Sequence, residues 1–189
     1  MFRACWICVA MLMATSVIAA EPALVFDLVG ADGRPHTQAE WRGKKAVVLL
    51  FLATECPVSN FYAPEYVALA QRFAKENVAV YGVHCDRDLT AVQAKKHADE
   101  YKLVFPILLD PKQVLASATK VRVTPEAVVL SADGVVQYRG RIDDRYAENG
   151  RRRDEAQTYD LREAIEAVVA GKSPKVRETK AFGCLLPKR

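Results

Sequence analysis

The chain has 189 residues, 51% of them hydrophobic and 26% charged. That is enough apolar material for one ordinary domain with a real core, and it excludes a disordered polymer. A formal charge of +4 is too small a surplus to mark a nucleic-acid-binding surface. The one basic run, Arg151-Arg152-Arg153, is followed at once by Asp154 and Glu155, the pattern of a solvated loop.

Residues 1–20 carry a single charge, Arg3, then an apolar stretch from Trp6 to Met13 and a small-residue ending, Val17-Ile18-Ala19-Ala20. They read as a cleaved secretory signal peptide, because the apolar stretch is shorter than the roughly 20 residues of a spanning helix. A membrane anchor is the competing reading. Export implies a periplasmic or secreted protein with no stable membrane anchor, in a compartment where disulfides persist. Cys5 and Cys8 leave with the leader. Cys56, Cys85 and Cys184 remain, enough for one internal bridge with one thiol over.

Beyond the leader, residues 23–28 form a short strand candidate and Asp32-Gly33 marks a turn. Residues 46–53 are a near-continuous apolar run, of the kind buried on both faces in a parallel sheet. A helix is predicted to begin near Cys56 and to carry Phe61, Tyr62, Tyr66, Leu69, Ala70 and Phe73 at helical spacing, kinked at Pro64. Residues 78–83 give the next buried strand, ending in His84-Cys85-Asp86. Residues 90–101 give a helix with Ala91, Ala94, Ala98 and Tyr101 inward. Strand, helix and strand in that order imply a parallel crossover.

Residues 106–110 are a short extended piece, 114–118 a short helix and 127–130 a strand. Asp133-Gly134 closes a hairpin onto residues 135–140. Residues 160–170 form an amphipathic helix with Leu161, Ile165, Val168 and Val169 on one side, stopped by Gly171. Organisation follows as a leader over 1–20, one domain over 21–172 and a flexible-looking tail over 173–189 carrying Cys184.

Cys56 stands where the buried strand breaks into a helix start. Unpaired N–H groups in the first turn of a helix stabilise a thiolate and lower its pKa, which makes a nucleophile. The neighbouring Glu55 opposes that effect. Such a sulfur is expected to be open to reactants.

Four features in chain order carry a family resemblance. A strand ends in Phe51-Leu52-Ala53-Thr54-Glu55-Cys56, Ala63-Pro64 follows in the helix, Thr124-Pro125 precedes a strand, and Ala132-Asp133-Gly134-Val135-Val136 makes the hairpin after it. Together they resemble the thioredoxin-like redoxin group, related to alkyl hydroperoxide reductase and thiol-specific antioxidant proteins. The end of the chain, with Gly183-Cys184, is similar to a secreted bacterial subset of that group. The resemblance implies an α/β thioredoxin-like fold, a central mixed sheet flanked by helices, with a cis bond at Thr124-Pro125. It also implies a groove in which Pro57, Ser59, Thr124 and Pro125 meet an extended substrate.

Where thioredoxins carry their second cysteine this chain has Ser59, so there is no local dithiol. A CxxS site holds its adduct, passes it to an external thiol or recruits a distant cysteine. Cys184 is the first candidate and Cys85, at the end of a neighbouring strand, the second. Peroxiredoxins keep a threonine at the third position before their cysteine, and here that position is Ala53. Copper-delivery relatives need a second cysteine where this chain has Asn60, and their later histidine has no obvious match among His36, His84 and His97.

The expected activity is therefore thiol oxidoreduction on disulfide or peroxide substrates. The catalytic candidates are Cys56, Cys184 and Cys85, with an external thiol as reductant and no cofactor or metal required. A non-catalytic binding module on the same fold is the alternative. A copper-delivery protein is a weaker one.

Overall fold

Ala46 to Leu52 form a strand buried along its whole length, and the rest of the fold is arranged around it. The computed structural model describes residues 24–146 and 150–188, so the leader reading lies outside the described residues. In chain order the elements are β1 (Asp27–Val29), β2 (Pro35–Thr37), β3 (Ala46–Leu52), α1 (Pro57–Phe61), α2 (Ala63–Ala74), β4 (Val78–His84) and α3 (Ala91–Glu100). They continue with β5 (Ile107–Leu109), α4 (Val114–Thr119), β6 (Val123–Thr124), β7 (Glu126–Ser131), β8 (Val136–Gly140), α5 (Asp160–Val169) and β9 (Cys184–Leu185).

The central sheet has the order β5-β4-β3-β7-β8. β3, β4 and β5 run parallel, and β7 and β8 are antiparallel to their neighbours. Because side chains alternate across a strand, β3 feeds two cores. Val48, Leu50 and Leu52 pack with Tyr66, Leu69 and Phe73 of α2 and with Leu161 and Ile165 of α5. Val47, Leu49 and Phe51 pack with Phe26, Trp41 and Leu115 on the other side. Helices cover both faces, which is why β3 has no polar alternation. Truncating Leu50 to Ala would cost about 2–5 kcal/mol.

Two expectations are corrected. Residues 57–74 are not one kinked helix. Tyr62, with φ −83° and ψ −2°, separates α1 from α2. Pro64 falls in the first turn of α2, where its missing N–H has no intrahelical partner to lose. On α3 the fully buried residues are Ala94 and His97, while Ala91, Ala98 and Tyr101 are only half-buried. Thr90 caps that helix through a reciprocal box with Gln93, which satisfies two otherwise unpaired N–H groups.

The tail is not loose where it carries Cys184. β9 pairs antiparallel with β6, with Thr124 opposite Cys184 and Val123 opposite Leu185. The Leu186 N–H donates to the Arg122 carbonyl at 3.0 Å, and Gln113 Nε2 donates to the Pro187 carbonyl at 2.7 Å. Both strands of this pair are two residues long, too short for any periodicity to announce them.

Candidate redox site

Cys56 is the residue immediately before α1, extended at φ −87° and ψ 109°, with Pro57 in the first helical turn. Buried β3 delivers the chain to the C-terminal edge of the sheet, where sites in open α/β folds lie. Its Sγ donates to the Thr124 carbonyl at 3.1 Å. The Thr124–Pro125 peptide bond is cis.

Burial of the Cys56 sulfur opposes ionisation. The Cys184 thiol, the backbone N–H groups of Ser59 and Cys184, and the Thr124 hydroxyl all donate to the thiolate, and together they hold its pKa below the ordinary thiol value. Hydrogen bonds to a charged form favour it, the third of the ways a protein moves a pKa. Cys184 takes the opposite share. Burial, its donation to Cys56 and repulsion from that neighbour push its thiol up to about 11. Of the pair, Cys56 is thus the more readily ionised sulfur and Cys184 the one that keeps its proton.

Cys56, Cys184, Ser59, Thr124 and Pro125 all come together here. Pro57 is exposed beside them on α1. Ser59 is 1% exposed, and its Oγ accepts from the Ala53 N–H at 3.4 Å, tying the first turn of α1 to the end of β3. Thr124 is equally buried, and its Oγ1 has no partner while Cys56 is a neutral thiol. That leaves it free to turn to the thiolate.

Cys85 borders the same cavity as the pair but is packed differently. Its side chain packs with Leu108, Leu115 and Val121 on the other face of the sheet, 4.0 Å from Asp110 Oδ2. Burial, with the Asp110 carboxylate adding to it, raises its pKa far above the ordinary thiol range.

Openness is the expectation that fails. Cys56 is only 2% exposed, because the β9 segment lies over it. What reaches the sulfur pair is a cavity of about 450 Å³ lined by Ala53, Glu55, Cys56, Asp86, Leu89 and Cys184 among others.

Several supporting residues carried no sequence signal. His97 Nε2 donates to Asn60 Oδ1 at 2.9 Å, and Asn60 Nδ2 donates to the Thr54 carbonyl at 2.8 Å, so α3 braces the loop before Cys56. The Tyr62 hydroxyl donates to Asp143 Oδ1 at 2.6 Å. Arg145 pairs with Asp143 at 2.7 Å and lies over the Tyr62 ring at 4.9 Å. Arg139 of β8 pairs with Glu126 and Glu178, and Arg141, just after that strand, pairs with Asp160. Among the described residues no group of three or more His, Cys, Asp or Glu side chains is placed to hold a metal ion. No described helix is long and apolar enough to cross a membrane.

Comparison with known proteins places the family and the fold. The chain is similar to the thioredoxin-like protein YneN of Bacillus subtilis, 30% identical over 112 residues that cover 59% of this chain and 65% of that protein. It therefore spans just under two thirds of YneN's length. It is also similar to the thiol-disulfide oxidoreductase ResA of Geobacillus thermodenitrificans, 28% identical over 123 residues, covering 65% of this chain and 69% of ResA. Among solved structures, a hypothetical protein from Sinorhizobium meliloti superposes with a TM-score of 0.78 at 25% identity, covering 91% of this chain and 95% of that one. The fold is thioredoxin-like, a mixed five-stranded sheet with flanking helices. Residues 19–139 match the AhpC/TSA family model, and the chain belongs to that family.

Proposed function

We propose that the protein is an exported thiol oxidoreductase of the periplasm or extracellular space, in which Cys56 attacks and Cys184 resolves. A single observation carries this reading: Cys184 stands opposite Thr124 in the β6–β9 pair, the Thr124 carbonyl accepts the Cys56 Sγ–H, and both sulfurs border one cavity. The missing CxxC partner at Ser59 is replaced by a sulfur from the far end of the chain.

The Cys56 thiolate attacks one sulfur of a substrate disulfide. A protein–substrate disulfide forms, the substrate's S–S bond breaks and one thiolate departs. Cys184 then loses its proton to solvent or to the departing thiolate and attacks Cys56 Sγ, expelling the second substrate thiol. Two electrons have passed from the Cys56–Cys184 dithiol to the substrate, and the protein holds an internal disulfide. An external thiol pair reverses that oxidation by the same exchange chemistry. With a hydroperoxide, Cys56 takes the terminal oxygen, the alcohol or water leaves, and Cys184 condenses with the sulfenic acid to release water. The pair closes either cycle. Cys85, buried against Asp110, is proposed to be a packing residue outside the exchange.

Peptide mapping of the full chain after one equivalent of bis(2-hydroxyethyl) disulfide tests the assignment. The expected product is a Cys56–Cys184 bridge with Cys85 free. A stable Cys56 adduct, or a bridge that includes Cys85, overturns it. A Cys56 alkylation midpoint at or above the free-cysteine value of about 8.5 would leave the protein a binding module on the same fold.

A further inference from the structure

Were the groove beside the cis-proline open, an extended chain would add to it by strand pairing, through the main-chain groups that precede the proline. In this protein those groups are already taken. Val123 and Thr124 are paired with Leu185 and Cys184, and the carbonyl before them, that of Arg122, accepts the Leu186 N–H. Gly183 lies so close that a Cβ there would collide with the Thr124 carbonyl, so the tail crosses the edge backbone against backbone.

The segment is anchored on both sides. Before it, the Phe182 ring stacks on Tyr146 with centroids 6.1 Å apart and planes 8° from parallel. After it, Gln113 holds the Pro187 carbonyl. The tail brings the resolving sulfur, and in doing so it fills the place of a polypeptide substrate.

We propose that the substrates of this site are low-molecular-weight disulfides that enter the cavity beside Cys56, and that extended polypeptides are shut out by the chain's own residues 183–187. The proposal rests on the assignment of Cys56 and Cys184 as the exchanging pair. The open cavity, about 450 Å³, falls within the range of small-ligand sites, roughly 300–1,000 Å³. The strand edge at Val123 and Thr124 beside it is already paired with β9. Attack follows the exchange already written, with both halves of the small disulfide leaving as thiols.

The test measures the first step, attack by Cys56, on the reduced full chain. The two probes are bis(2-hydroxyethyl) disulfide and an unstructured, uncharged peptide bearing one disulfide. Uncharged probes keep Glu55, Asp86 and Asp88 at the cavity out of the comparison. Each rate is divided by that of free 2-mercaptoethanol with the same probe, so intrinsic reactivity cancels. The small probe is expected to lead by about tenfold or more, the factor by which one or two net hydrogen bonds suppress an open tail.

Gly183→Val, which forces the tail off Thr124, should bring the peptide level with the small probe. Any change in Cys56 ionisation affects both probes alike and drops out of the ratio. Gln113→Ala, which releases only the Pro187 anchor, should move the ratio the same way by less, and it stands in if Gly183→Val does not fold. Equal normalised rates in the unmodified chain overturn the proposal, as does a ratio indifferent to both substitutions. Loss of reaction with both probes would instead overturn the assignment of Cys56 as nucleophile, and this proposal with it.

Discussion

Thr124 and Cys184 face each other across an antiparallel bridge, and the Thr124 carbonyl is the group that accepts Cys56 Sγ–H at 3.1 Å. One residue therefore registers both sulfurs, from segments far apart in the chain. The main chain sets that register, so the pairing survives side-chain motion that would disperse two thiols on unconnected loops.

Replacing Cys184 by Ala removes a donor to the Cys56 thiolate as well as the proposed resolving sulfur. The Cys56 pKa should rise, read as a shift of the alkylation-rate profile to higher pH. The mixed disulfide should accumulate, with turnover down by about tenfold or more, equivalent to at least ~1.4 kcal/mol. Cys184→Ser keeps a donor and restores only the ionisation, which separates the two roles.

Thr124→Val tests the hydroxyl alone. Because Oγ1 has no partner in the thiol form, its removal should leave stability within about 1 kcal/mol, or raise it, since a buried unsatisfied polar group is a cost. The Cys56 pKa should nonetheless rise, because that hydroxyl donates to the thiolate. Urea unfolding and alkylation against pH measure the two effects independently.

His84 ties stability to pH. Burial, with a smaller contribution from neighbouring His97, lowers its pKa from 6.5 to about 4, and His97 is lowered in the same direction, chiefly by burial. Between those values the unfolded chain binds a proton that the folded chain refuses, so stability rises with pH across the window and falls on acidification. The loss from His84 between pH 7 and pH 4 should be on the order of 3 kcal/mol. Urea midpoints at several pH values should show this slope, and His84→Leu should reduce it.

Tyr138 is fully buried, and its hydroxyl makes two contacts of 2.7 Å, to the Arg141 carbonyl and to Thr179 Oγ1. Tyr138→Phe leaves the carbonyl and the threonine without that partner and should cost about 1–3 kcal/mol. Thr179 also accepts from the Arg141 N–H, so the start of the tail should become more open to proteolysis in the same variant. Limited digestion compared with the unmodified chain checks this.

What the chain determined by itself is what depends on local pattern. The apolar run that became β3, the junction that places Cys56 before α1, the Thr124-Pro125 turn and the Asp133-Gly134 hairpin all follow from short-range sterics and from burial on both faces of a strand. Even the split of α1 from α2 was marked by Pro64, although as a kink rather than as the first turn of a new helix.

Tertiary structure alone decided which cysteine meets Cys56. Cys85 and Cys184 were both eligible from their positions in the chain, and only the packed sheet puts Cys85 on the far face against Asp110. β6 and β9 have two residues each, and so short a pair has no periodic signature. Their pairing exists because the cis-proline edge offers unpaired main-chain groups and Gly183 permits close approach. For the same reason the shielding of Cys56 was invisible in its sequence neighbourhood: the residues that cover it are supplied from the other end of the chain.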